Sequence, residues 1–62
     1  EGEHMTPVEA LEIALSKEKV SILLYRRLGE EHPAIQDLLL LLLNEEEKHK
    51  KLIEAKIVEL MK

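Results

Sequence analysis

Apolar residues recur at three- and four-residue steps through most of this chain, which is the spacing of one helical face and not the alternation of a strand. Thr6-Pro7-Val8-Glu9 opens the first periodic segment. Thr6 can cap, Pro7 suits the first helical position, and Glu9 can complete a capping box. Good helix formers continue to about Leu28. Gly29-Glu30-Glu31-His32-Pro33 then combines a C-cap glycine, polar residues and a proline that can open another helix. The pattern predicts helices over about 7–28 and about 33–61, joined tightly as an antiparallel αα-hairpin spanning 6–62. Residues 1–5 read as a leader.

At roughly 100° per residue, Leu11, Ala14, Leu15, Glu18, Ile22 and Tyr25 share one stripe of the first helix. On the second helix the stripe is Ile35, Leu39, Leu42, Glu46, His49, Ile53, Ile57 and Leu60. Glu18 lies mid-stripe on one helix, and Glu46 with His49 mid-stripe on the other. Both levels are about 20 Å from the turn, so a side-by-side pair places the three polar residues in one layer. Ile13, Val20 and Leu24 lie roughly opposite Glu18, and the run Leu38–Leu43 covers every direction of the second helix. Apolar surface therefore remains on the backs of the helices, which predicts an assembly larger than one two-chain bundle, or a partner on the outer face.

Composition narrows the classes. A chain of 62 residues buries too little apolar surface to be stable without a staple, a metal or a partner. It has no cysteine, which excludes disulfides, thiolate zinc sites and iron–sulfur clusters. With 13 acidic and 9 basic residues and a net charge of -4, it has no footprint for phosphate backbones, so no nucleic acid is expected. The one long apolar run is far short of the roughly 20 residues of a membrane span, and no signal-like segment is present. A cytoplasmic protein with no membrane partner is the expectation. Two glycines cannot build a phosphate loop, and there is no nucleophile elbow.

Carboxylates and an imidazole on the buried stripe call for a neutralising partner, since a buried charge without one costs several kcal/mol. One hairpin supplies Glu18, Glu46 and His49. Two hairpins related by a two-fold axis form a four-helix bundle with four carboxylates and two imidazoles, whose charge matches two divalent cations. A lone Glu from each of two helices and a Glu-x-x-His from each of the other two is the ligand set of di-iron and di-manganese carboxylate bundles. Such mixed ligands suit iron, manganese or zinc.

The residues Glu9-Ala10-Leu11-Glu12-Ile13-Ala14-Leu15 leading to Glu18, Tyr25 seven positions later, and Glu45-Glu46-Glu47-Lys48-His49 followed by Leu52 resemble the rubrerythrin and ferritin-like family. The resemblance covers nearly all of one two-helix repeat, half of the usual four-helix domain. It implies a ferritin-like four-helix bundle built from two chains, with two Fe per dimer. Glu46 of both chains would bridge the metals, Glu18 and His49 would bind at their outer sides, and the Tyr25 hydroxyl would hydrogen-bond a ligand carboxylate. The implied activity is ferroxidase chemistry or a peroxide- or oxygen-linked oxidoreductase, drawing on an external electron donor. The alternative is a helical oligomerisation or interaction module, either metal-free or holding a purely structural zinc.

Overall fold

The computed structural model describes residues 4–62. Within them the chain forms two helices, α1 (Pro7–Glu31) and α2 (Gln36–Leu60), linked through a 3-10 turn over Pro33–Ile35. No strand occurs among the described residues. The expected leader falls partly outside them, and His4 and Met5 precede α1.

The start of α1 is fixed by its own sequence. The Glu9 amide donates to Thr6 Oγ1 at 3.1 Å and the Thr6 amide to Glu9 Oε1 at 2.9 Å, so the reciprocal box is closed. The other end differs from the expectation. Gly29 does not cap the helix: α1 runs through it to Glu31, and His32 is the last residue tied back, its amide donating to the Leu28 carbonyl at 2.9 Å. Pro33 sets this stop. It disfavours helical backbone at the residue before it, and His32 sits at φ -132, ψ 76. The second helix likewise opens later than expected, with α-helical geometry from Gln36 after the 3-10 turn, and closes at Leu60.

Gly29 instead lies buried where the two helices approach. A Cβ there would meet Gln36 Cγ and Leu39 Cβ at 3.8 Å, which is ordinary van der Waals contact, and its φ is not positive. Because the site has room and the backbone is helical, Gly29→Ala should stabilise the hairpin by about 0.5–1 kcal/mol through a less flexible unfolded chain. A urea midpoint that rises at unchanged slope checks this.

The hairpin is a slab one helix thick, with principal extents of 44 × 24 × 11 Å. A single layer cannot cover both of its broad faces, and among the described residues only Ile22 and Leu39 form a buried apolar core. The two faces differ in chemistry. By the helical step, Lys19 and Arg26 on α1 and Glu47 and Lys50 on α2 share one side, where Arg26 and Glu47 pair across the helices at 3.7 Å. The opposite side carries Ala14, Glu18 and Ser21 from α1 and Leu42, Glu46, His49 and Ile53 from α2. Leu38 and Leu52, which flank it, are exposed. Among the described residues no helix is long and apolar enough to cross a membrane.

Candidate metal centre

The hairpin brings the three polar residues singled out from the sequence into one cluster. Glu18, Glu46 and His49 each present a ligand atom, and these atoms all lie within 4.8 Å of one another. The register follows from the turn: both helices are continuous from it to this level, so no bulge or kink intervenes to shift one ligand against the other. His49 Nδ1 lies 3.2 Å from Glu46 Oε1, one helical turn away, and 3.9 Å from Glu18 Oε1 on the neighbouring helix.

The layer is wetter in one chain than the stripe pattern suggests. The Glu18 and Glu46 side chains are about one-fifth exposed and His49 is half exposed. The cause is geometric, since two helices flank the cluster on two sides and leave the broad face above it open. Within that setting the inner carboxylate oxygen of Glu18 is an anomaly. Glu18 Oε1 is shielded from solvent and no donor reaches it. Glu46 offers only another acceptor, and the imidazole nitrogen is too distant for a hydrogen bond. A proton held between the carboxylates, or a cation, is what this atom requires.

Contact between the two carboxyl groups shifts both. The hydrogen bond with Glu46 lifts Glu18 above the ordinary carboxylate value of 4.5, assisted by burial and by the Glu46 charge. The same bond lowers Glu46 below that value, and the hydrogen bond from His49 adds to the shift. Glu18 is therefore the carboxyl of the pair that keeps a proton to higher pH. The stability consequences have opposite signs. Glu18, being raised, contributes below its unfolded value and loses that contribution as pH climbs through the raised one. Glu46, being lowered, contributes above its unfolded value and loses it as pH falls through the lowered one. Glu18→Gln supplies a permanent donor in place of the acid proton. The ion-free hairpin should therefore melt higher than wild type at neutral pH, with the gap closing as pH falls through the raised Glu18 value toward the ordinary carboxylate value. Thermal melts in chelator at several pH values read this directly, and a gap that widens toward acid contradicts it.

Tyr25 is half-buried and lines a groove near the turn with Gly29, Gln36, Leu39 and Leu43. Among the described residues its hydroxyl makes no hydrogen bond to the cluster. The expectation that it supports a ligand carboxylate therefore has no counterpart within a single chain. The Arg26–Glu47 pair, which marks the opposite face as solvated, was not singled out from the sequence. Its signal was present, because both residues fall on the same side of their helices by the 100° step.

Comparisons with protein-family models, with curated proteins and with solved structures return no match.

Proposed function

We propose that this chain is a metal-binding hairpin that pairs with a second copy across its open face to form a ferritin-like four-helix bundle around a di-iron carboxylate site. The observation that carries the reading is the solvent-shielded Glu18 Oε1, without a donor, within a cluster whose other members are a carboxylate and an imidazole. A carboxylate and imidazole donor set suits iron, manganese or zinc. Three donors are too few for a closed site, and the open face lies where a symmetry-related copy would bring three more. The contrast between the two broad faces supports the same pairing, since the ion-paired side is suited to water and the cluster side is flanked by exposed leucines.

In this reading each residue has a distinct task. Glu46, whose ligand atom lies within 4.8 Å of those of Glu18 and His49, would bind alongside both. Glu18 ligates only as the carboxylate, so metal affinity falls as pH drops through its raised value. His49 ligates as neutral imidazole, and its exposure leaves the direction of approach unblocked until the partner closes it. Bound iron would supply redox chemistry toward dioxygen or peroxide, of ferroxidase or peroxide-linked type, with electrons delivered by an external donor.

Mixing the ferrous-loaded protein with dioxygen or peroxide in a stopped-flow spectrophotometer tests the activity. An absorbance change that requires both iron and oxidant is the expected result. A protein that binds metal but stays spectroscopically silent would be a structural centre. The metal-free interaction module has one point in its favour: Glu18, held above the ordinary carboxylate value by the neighbouring Glu46, could be satisfied by a proton in place of an ion. It predicts no metal after growth in iron-, manganese- and zinc-replete media.

A further inference from the structure

The outer edge of α1, directly away from Glu18, carries Glu9, Ile13, Ser16, Val20, Leu23 and Arg27. All six are exposed, with Ile13 at 56% and Val20 and Leu23 at 64% each. Their steps are four, three, four, three and four residues, the seam of a left-handed coiled coil. On the wheel they occupy an arc of roughly 80°. The pattern is not a by-product of an apolar chain. The equivalent positions on the outer edge of α2 are Asp37, Leu41, Asn44, Lys48, Lys51 and Ala55, which are mostly polar.

We propose that this seam docks on the same seam of a second copy, antiparallel, around a two-fold axis. Charge selects the orientation. The strip is acidic at one end and basic at the other, so parallel pairing would set Glu9 on Glu9 and Arg27 on Arg27. The antiparallel arrangement sets Glu9 against the second copy's Arg27 at both ends. In that register Ile13 faces Leu23 and Ser16 faces Val20, with each small residue receiving a larger one. The contact is about 27 Å long. Leu24 borders it beside Ile13 of the second copy.

This surface is separate from the Glu18, Glu46 and His49 face, and the inference stands whether or not that face binds metal. If both contacts form, each chain has two self-complementary surfaces, and alternating them builds a closed ring or an extended array.

Two measurements test the seam together. Val20→Glu places a charge in the middle layer while leaving an exposed helix position intact. It should reduce the solution mass at least twofold, with circular dichroism and metal content per chain unchanged. The chain has no native cysteine, so register can be read by cross-linking. The double variant Ile13→Cys and Leu23→Cys should oxidise to a disulfide-linked two-chain species, whereas each single variant should not, because equivalent positions are about 15 Å apart in this register. An unchanged mass for Val20→Glu overturns the inference. So does a single variant that cross-links as readily as the double one, or a double variant that does not cross-link.

Discussion

Glu46→Ala should take the bound metal from about one ion per chain to none. The residue lies within reach of both other donors, and in the proposed pair, where both copies of Glu46 would bridge the two ions, the substitution would remove two donors from each ion. Glu18 and His49 alone then remain on each chain, too few donors to hold a divalent ion. The helix itself should not suffer. Alanine is the strongest helix former, and Glu46 is not part of the apolar core formed by Ile22 and Leu39. Elemental analysis of wild type and variant purified from the same iron-supplemented medium, alongside far-ultraviolet circular dichroism, separates ligand loss from unfolding. Wild-type metal content in the variant would remove Glu46 from the site.

Chelation should lower the melting temperature of the metal-loaded protein by about 15–30 °C. With one core isoleucine and one core leucine among the described residues, the single hairpin has little apolar burial of its own, so an ion that bound only the folded pair would dominate its stability. An ion held at a free concentration about 1,000 times its dissociation constant stabilises by about 4 kcal/mol. In a domain this small each 1 kcal/mol moves the midpoint by about 4–8 °C. Differential scanning calorimetry with and without chelator at fixed protein concentration is the appropriate measurement. The metal-free module predicts no shift. It further predicts that leucine at Glu46 and His49 raises stability, because an unneeded polar cluster is replaced by packing.

The hairpin was legible in the sequence because its signals are local. Thr6, Pro7 and Glu9 act within one turn of each other, and the capping box they predict is the one that forms. The turn was harder. Gly29 has the chemistry of a helix stop, but its φ is not positive, α1 continues through it with room left for a Cβ, and the helix ends only where Pro33 constrains His32. A glycine that turns the chain and one that merely sits within a helix look alike in a sequence. The cluster was legible for a related reason. Glu18, Glu46 and His49 can be counted from the turn, and continuous helices carry that count into space. Their exposure was not legible, because a wheel shows which residues share a face but not whether anything covers it. The orphaned oxygen of Glu18 depends on the mutual placement of two side chains, which spacing alone does not fix.

The heptad seam on α1 shows the same limit from the other direction. Ile13, Val20 and Leu24 stood out as apolar positions opposite Glu18. Only the exposed edge of the folded hairpin groups Ile13 and Val20 with Glu9, Ser16, Leu23 and Arg27 as one surface. Its meaning lies in the pairing of Glu9 with Arg27 across an axis that no single chain contains.

Native mass spectrometry of the iron-titrated protein tests the central claim most directly, because one spectrum reports chains and ions together. The account predicts species with even numbers of chains that gain one ion per chain and saturate there, with the Glu46→Ala protein gaining none. A wild-type protein that remains metal-free throughout the titration, or that binds ions equally well as an isolated chain, would contradict it.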